Sequence, residues 1–294
     1  MKSIQAVIIA VVTVGLTWLV LSLQRSDYRS IDTEYRVLTA VLGNSHENNL
    51  LIDEVFRPYY LNISGASMLE QSYQLGMAID EFPALRIVLI DLSPIEFIEC
   101  GIFNTRVGEN FFFESSVRHY PWNSWLNELS VLLPYNPTQL YRDRSIAFQQ
   151  GRISTIESEP SQDYSRDSHF ENCGNQASAS YSDQLASLQR MITTSISRGI
   201  YPIVVVTPHH RIYRAVFEGH RSYKKLISRI VDDLYVKPGQ YCFVDMYDLS
   251  LEDKFFNDGD HINLAGGRQI QRSFSAEVKR CLEQAGESVG EVLQ

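Results

Sequence analysis

Five short apolar runs, separated by segments with helical spacing, constrain the fold of this chain more than any other feature. Each run has the length of one strand, and turn-forming residues follow most of them. Continuous apolar runs of this length are typical of parallel strands that are buried on both faces. Their alternation with helices predicts an α/β fold, a three-layer sandwich around a five-stranded parallel sheet. The predicted strands are residues 37–42, 59–63, 86–92, 201–207 and 241–246.

The segments between these runs predict the helical layers of the sandwich. One segment, residues 96–180, breaks the alternation with an aromatic-rich piece and a polar loop, and we interpret it as an insertion or lid. Residues 37–294 are therefore expected to form a single domain, since no second alternating pattern or internal repeat is visible. The predicted helices are residues 47–56, 68–79, 183–197, 223–235 and 267–284.

The N-terminal residues 6–23 form an uncharged apolar run, AVIIAVVTVGLTWLVLSL. It is just long enough to cross a bilayer as one helix. A cleaved signal peptide is the alternative, but no small-residue cleavage site closes the run. The sequence therefore predicts a transmembrane helix within an anchor of residues 1–26, followed by a polar linker of residues 27–36. This topology places the remaining domain in the periplasm or outside the cell, held at a bacterial inner membrane.

Charge and cysteine content narrow the class of protein further. The formal net charge is −9 without a visible basic patch, which argues against nucleic acid as a partner. None of the four cysteines has the C-x-x-C spacing of a zinc or redox site, and no metal or other cofactor is expected. In an exported domain they can form the disulfides Cys100–Cys173 and Cys242–Cys281. Four buried free thiols are the alternative.

Reactive side chains follow the predicted strands on one edge of the sheet. Binding and catalytic groups of open parallel sheets gather beyond the carboxyl ends of the strands. Several groups of the chain are expected to lie close together there: Ser45, Ser64-Gly65, Asp91 to Ser93, His209-His210 and Asp258 to His261.

Among these groups, a serine and a histidine can form a nucleophile and its base. Ser45 becomes a strong nucleophile only when a base removes its proton, and His261 can be that base. Asp258, three residues earlier, can orient the ring and stabilise its charged form. The backbone N–H groups of Ser45 and Gly65 are candidate donors to the developing oxyanion. Asp260 is assigned to the turn.

Three short motifs resemble the SGNH/GDSL hydrolase superfamily, and the resemblance covers residues 37–282. They are Gly43-Asn44-Ser45, Asn62-Ile63-Ser64-Gly65-Ala66-Ser67 and Asp258-Gly259-Asp260-His261-Ile262-Asn263 followed by Gly266. The resemblance implies an SGNH, flavodoxin-like sandwich with Ser45 as nucleophile, Asp258 and His261 as its partners and Gly65 in the oxyanion hole. Asn44 replaces the usual Asp. The third block, G-x-N-D, is absent, so that Ser93 or Asn48 would have to replace its Asn as an oxyanion donor.

The pattern is similar to membrane-anchored members that work in the acylation of cell-envelope polymers. It implies a serine esterase or O-acyltransferase acting on acyl, chiefly acetyl, esters of an envelope polysaccharide, beside a membrane-bound O-acyltransferase. His46, His209 and His210 are expected to contact this substrate. The missing third block leaves a non-catalytic partner of the acyltransferase as the alternative.

Two further interpretations remain for the same residues. Ser45 could simply cap the first helix, since serine is a favoured N-cap residue. A metal-dependent hydrolase could instead use Asp258, Asp260, His261, His209 and His210 as ligands. Such sites usually take a carboxylate from the end of the first strand, and Gly43-Asn44-Ser45 offers none.

Overall fold

One parallel sheet lies at the centre of the structure. The computed structural model describes residues 36–43, 46–62, 67–98, 163–165, 167–170, 181–237 and 239–286. Within these residues the strands are β1 (Thr39–Gly43), β2 (Pro58–Asn62), β3 (Ile87–Asp91), β4 (Tyr201–Val206) and β5 (Cys242–Asp245). All neighbouring pairs are parallel, and their order is β2-β1-β3-β4-β5. The predicted five-stranded parallel sheet is confirmed.

The strand order reverses between β1 and β3. The chain runs from β1 outward to β2 and then returns to pair β3 with the other side of β1. At such a switch point the connections leave the sheet in opposite directions, and a crevice opens beyond the carboxyl ends of the two strands. Gly43 and Asp91, the last residues of β1 and β3, lie at this crevice.

Helices cover both faces of the sheet and complete the predicted three layers. Alternate residues of a strand point to opposite faces, so that Leu42 and Ile90 belong to one apolar cluster and Val41 and Leu89 to the other. The first cluster packs against four helices, and the second packs against the last helix. Within the described residues the helices are α1 (Met68–Glu81), α2 (Tyr181–Ser197), α3 (Arg211–His220), α4 (Tyr223–Asp233) and α5 (Leu264–Gln284).

The segment after β1 differs from its prediction. Residues 47–56 were expected to form one helix, but the structure has two short 3₁₀ turns, His46–Asn49 and Glu54–Phe56. Side chains supply hydrogen bonds to the backbone between them. Tyr60 donates its hydroxyl proton to the Leu50 carbonyl at 3.0 Å, and the Asp53 N–H donates to the Ser275 hydroxyl at 2.9 Å. Backbone groups satisfied from outside gain little from a continuous helix.

Helix α3 was not predicted from the sequence, although half of its residues are apolar. Only Tyr213 and Phe217 are buried, four residues apart on one face. His210 caps this helix, since its ring Nδ1 accepts a hydrogen bond from the Ile212 N–H at 3.3 Å. A histidine cap is a weaker sequence signal than the usual Ser, Thr, Asp or Asn.

Of the two proposed disulfides, one can be compared with the structure. Cys242 in β5 is bonded to Cys281 in α5, so that the strand and the last helix are covalently joined. Cys100 and Cys173 lie outside the described residues, as does most of the predicted insertion. The predicted membrane helix at residues 6–23 lies outside them too. From Arg36 onward, none of the helices that the structure describes is long and apolar enough to cross a membrane.

Candidate active site

Three loops of the structure converge beyond the carboxyl ends of the strands. His46 follows β1, Asp91 ends β3, and the loop after β5 carries Asp258, Asp260 and His261. The rings of His46 and His261 have centroids 4.9 Å apart. Ser45 and Gly65, the predicted nucleophile and oxyanion donor, lie outside the described residues. The described histidine next to Ser45 in the chain therefore lies beside the predicted base.

The loop that carries His261 is closed by backbone hydrogen bonds. Phe256 and Ile262 form an antiparallel bridge across its base, and the Asn257 N–H donates to the His261 carbonyl at 2.8 Å. From the neighbouring strand end, the His210 N–H donates to the Gly259 carbonyl at 2.8 Å. The loop is thus held at both its base and its tip, which limits the positions available to the His261 ring.

The start of α5 directly follows this loop and packs against the turn after β1. Asn263 caps the helix, because its side-chain oxygen accepts a hydrogen bond from the Gly266 N–H at 2.9 Å. Gly267 lies directly against the Asn49 carbonyl, where a Cβ atom would collide with the backbone. Asn49 also donates its side-chain N–H to the Ile262 carbonyl at 2.9 Å. The helix and the turn after β1 therefore pack as one unit.

Asp258 and His261 form the predicted carboxylate–imidazole pair. Their Oδ1 and Nδ1 atoms are 2.7 Å apart. The same oxygen accepts hydrogen bonds from the backbone N–H groups of Asp260 and His261, at 3.2 and 3.0 Å, which fixes the carboxylate. An Nδ1–H that donates to Asp258 leaves Nε2 as the ring atom that can accept another proton. The structure thus contains two of the three groups of a Ser-His-Asp arrangement within its described residues.

Asp260, assigned to the turn from the sequence, has a different environment. Its side chain is completely buried, and its carboxylate lies close to three imidazole rings. Oδ1 is 3.1 Å from His261 Nδ1, while Oδ2 is 3.2 Å from His46 Nε2 and 3.3 Å from His169 Nδ1. A carboxylate at a turn tip is normally solvated. This one lies at the centre of the polar cluster.

His46 lies between two carboxylates. Nε2 faces Asp260, and Nδ1 is 3.4 Å from Asp91 Oδ2 at the end of β3. Only 2% of His46 is exposed, so that its role as a substrate contact stays a prediction. Sequence reasoning missed the roles of Asp260, Asp91 and His169, because residues from three distant segments form these contacts. The positions of Asp91 at a strand end and of Asp260 in the loop after β5 were the signals that pointed toward the site.

Burial and the neighbouring charges change the pKa values of these side chains in opposite directions. Burial lowers the pKa of His261, but the charge of Asp260 and the hydrogen bond to Asp258 outweigh it and raise this pKa from 6.5 to about 10. Burial likewise lowers the pKa of His46, while Asp260 and Asp91 raise it above its ordinary value. Burial raises the pKa of Asp260, but His261 and His46 hold that pKa well below 3.8. The pair of His261 and Asp260 is therefore ionic at neutral pH.

His209 and His210, which were also predicted to bind substrate, contact other groups of the protein. His209 Nδ1 lies 2.8 Å from the Thr207 carbonyl, and burial, assisted by the charge of His46, lowers the pKa of this ring to about 4. The ring of His210 stacks on Tyr164 with centroids 4.1 Å apart. Its Nε2 lies 3.1 Å from Asp253 Oδ1. Both substrate-binding roles stay predictions.

Ser93, the predicted substitute for the missing Asn, is buried after β3. It occupies the N-cap position of a 3₁₀ turn, Pro94–Phe97, but its side chain makes no capping hydrogen bond. Among the described residues, its hydroxyl has no hydrogen-bond partner. A buried hydroxyl in this state usually has a water or ligand partner. This geometry is compatible with a donor role, which itself stays a prediction.

Part of the ligand set suggested for a metal-dependent hydrolase lies together in the structure. Atoms of His46, Asp260 and His261 lie within 4.8 Å of one another, which is close enough for a divalent ion. However, His210 pairs with Asp253, and Asp258 holds the His261 ring by a short hydrogen bond. These contacts form a network of charge-assisted hydrogen bonds and ion pairs that accounts for the cluster.

Comparison with known proteins gives a similarity among solved structures but no match to a protein family. No protein-family model matches the chain, and no curated protein matches it. Among solved structures, the chain is similar to a GDSL-like lipase from Bacteroides thetaiotaomicron VPI-5482, at 12% sequence identity and a TM-score of 0.40. The match covers 89% of this chain and 99% of the other. A similarity of this level does not define an activity, and the functional conclusion depends on the site residues.

Proposed function

We propose that the protein is a membrane-anchored, exported serine esterase or O-acyltransferase that acts on acyl esters of a cell-envelope polysaccharide. One observation carries the proposal: Asp258 Oδ1 and His261 Nδ1 are 2.7 Å apart, in a loop beside the residue that follows Ser45. In this mechanism His261 takes the Ser45 proton through Nε2. The serine oxygen then attacks the ester carbonyl, and an acyl-enzyme forms as the alcohol leaves.

The acyl-enzyme would pass its acyl group either to water or to a second hydroxyl. Hydrolysis makes the protein an esterase, and transfer to a glycan hydroxyl makes it an acyltransferase. The two outcomes share the nucleophile and the base, and they differ in whether water reaches the acyl-enzyme. The ratio of free acid to acylated sugar, measured with an acetyl ester and a soluble oligosaccharide acceptor, distinguishes them.

The covalent bond between Cys242 and Cys281 supports the exported location. Disulfides persist mainly in oxidising compartments such as the periplasm. The predicted anchor at residues 6–23 would keep the domain at the membrane, where a membrane-bound O-acyltransferase could exchange acyl groups with it. Fractionation of cells that express the full chain, with and without residues 6–23, tests the anchor.

The Ser45→Ala variant of the full-length protein tests the nucleophile. It is expected to lose hydrolysis of p-nitrophenyl acetate and to lose labelling by a serine-reactive fluorophosphonate. Ser197→Ala, which removes an exposed hydroxyl from α2, is the matched control and should keep both. Labelling of Ser45→Ala at the wild-type level would refute the assignment.

A non-catalytic partner of a membrane acyltransferase is the second candidate function. The raised pKa of His261 favours it, because a ring that is already protonated at neutral pH cannot accept a proton from serine. Under this alternative, Ser45→Ala leaves polymer acylation in cells intact, whereas removal of residues 6–23 abolishes it. Loss of acylation in Ser45→Ala cells, with normal protein levels, supports the catalytic function instead.

A further inference from the structure

The carboxylates of Asp258 and Asp260 both lie close to Nδ1 of His261, but their contacts with this atom differ. Asp258 makes the short hydrogen bond, at 2.7 Å, and its oxygen is also fixed by two backbone N–H groups. Asp260 Oδ1 lies 3.1 Å from the same Nδ1 in an ion-pair contact. One carboxylate is enough to orient an imidazole ring. The second therefore adds negative charge beside a ring whose orientation is already set.

A buried negative charge next to an imidazole favours its protonated form and makes its other nitrogen more basic. Asp260 is fully buried, so that water screens this effect little. The effect of Asp260 on His261 is consequently larger than that of a carboxylate at an exposed turn tip.

His46 counteracts the effect of Asp260, because its charge is positive. Both of its nitrogens lie near carboxylate oxygens, Asp91 Oδ2 at 3.4 Å and Asp260 Oδ2 at 3.2 Å. A neutral imidazole has one N–H and can serve only one of these acceptors, so the doubly protonated ring is favoured. The positive charge of His46 lies beside Asp260 Oδ2, while Oδ1 is the oxygen that contacts His261. The rings of His46 and His261 have centroids 4.9 Å apart. The positive ring repels a proton on His261 and partly neutralises Asp260.

The remaining charged and titratable neighbours come from separate segments. Asp258 belongs to the same loop, and Asp91 comes from β3. His169, in the 3₁₀ turn Asp167–His169, lies 3.3 Å from Asp260 Oδ2. His209, which follows β4, is kept neutral by burial because its pKa is about 4. Within the described residues, Asp260 is the carboxylate shared by His46, His169 and His261.

We propose that Asp260 is a positioning residue that sets the basicity of His261 Nε2, and that His46 is the counter-charge that limits this effect. The inference rests on the proposed role of His261 as the base for Ser45. It assigns the residue directly after Ser45 to electrostatic control of the base. No covalent step is added, and Asp260 acts only through the ring of His261.

Two substitutions in the full-length protein test the proposal because they are expected to act in opposite directions. In Asp260→Asn, the pH at which kcat/KM reaches half its maximum should fall by about one to three units, the usual effect of losing one close charge. In His46→Gln, the same midpoint should rise. Asp253→Asn removes an exposed carboxylate from His210 and is the matched control. Its midpoint should equal that of the wild type.

A second readout does not depend on turnover. Histidine-labelled full-length protein allows the imidazole signals to be followed by NMR against pH, with His261→Gln identifying the signal of His261. The pKa of His261 should fall in Asp260→Asn, return toward the wild-type value in Asp260→Glu, and rise in His46→Gln. If Asp260→Asn does not fold, His46→Gln and Asp260→Glu still measure the coupling.

The outcomes separate the inference from the proposed function. Ester hydrolysis with unchanged midpoints in folded Asp260→Asn and His46→Gln overturns the inference and leaves the serine mechanism standing. Opposite NMR shifts without either ester hydrolysis or acyl transfer to the oligosaccharide show the electrostatic control but reject the proposed function. Opposite shifts by both methods support the two together. Shifts of the same sign in both variants contradict the assignment of His46 as a counter-charge.

Discussion

Under the proposed function, the protonation of His261 leads to an unusual dependence on pH, because the same proton would stabilise the fold and block catalysis. Asp260 and Asp258 raise the pKa of this ring from 6.5 to about 10 against the opposing effect of burial. With that pKa, about one molecule in a thousand has a neutral ring at pH 7, and about one in ten at pH 9. If neutral His261 is the base, kcat/KM should rise about tenfold per pH unit, or roughly 100-fold from pH 7 to pH 9.

Stability should change in the opposite direction over the same interval. A pKa that is higher in the folded state gives stability that is complete below pH 6.5 and is lost as pH rises toward about 10. Each unit of pKa shift corresponds to about 1.4 kcal/mol. The free energy of unfolding should therefore fall by about 2.5 kcal/mol between pH 7 and pH 9. His46, whose pKa is also raised, adds to the same trend.

Both quantities can be measured on the wild-type chain. Initial rates of p-nitrophenyl acetate hydrolysis give kcat/KM, with Ser45→Ala as the blank for spontaneous hydrolysis at each pH. Urea unfolding followed by circular dichroism gives the free energy of unfolding in the same buffers. A midpoint of kcat/KM near pH 6.5, with constant stability from pH 7 to pH 9, would refute the reasoning, because it would mean that the carboxylates do not hold the proton.

Three further predictions concern the loop, the last helix and the disulfide. Asp258→Asn should lower kcat by about 10⁴-fold with little change in KM, because the amide can favour the wrong tautomer of the ring; steady-state kinetics measures this effect. Gly267→Ala should lower the free energy of unfolding by about 1–3 kcal/mol in urea, since its Cβ meets backbone, whereas Gly219→Ala, in open space within α3, should be neutral or stabilising. Replacing Cys242 and Cys281 by Ser should cost about 4 kcal/mol by the same measurement, the loop entropy expected for a sequence separation of 39 residues.

The strands could be predicted because their residues determine their environment directly. Residues 87–91 are apolar and mostly β-branched up to a terminal Asp, and a run of that kind is stable chiefly as a buried strand. Residues 47–56 were predicted wrongly because the Tyr60 hydroxyl and the Ser275 hydroxyl supply hydrogen bonds that a helix would otherwise provide. Such long-range contacts leave no periodic pattern in the segment that they reshape.

In the site, too, contacts within one turn could be predicted, whereas contacts between distant segments could not. Asp258 and His261 are three residues apart in one turn, so their pairing could be predicted from spacing alone. The burial of Asp260 could not be predicted from spacing, because it depends on the rings of residues 46 and 169, which are distant in the chain. A carboxylate in a D-G-D-H turn gives no local indication of whether it faces solvent or three imidazoles.

Under the proposed function, substrate binding would determine whether this network permits catalysis at neutral pH. Three carboxylates, Asp91, Asp258 and Asp260, surround two rings whose pKa values are raised, His46 and His261. Releasing the His261 proton at pH 7 from a pKa of about 10 costs about 4 kcal/mol. A bound substrate that excludes water from the polar cluster, or that brings a positive charge to it, changes this cost. Since kcat/KM reports the free enzyme and kcat the bound complex, the difference between their two midpoints measures that change. A midpoint of kcat near neutrality beside an alkaline midpoint of kcat/KM would show that the substrate itself releases the base, whereas coincident alkaline midpoints would mean that the protein works slowly at pH 7.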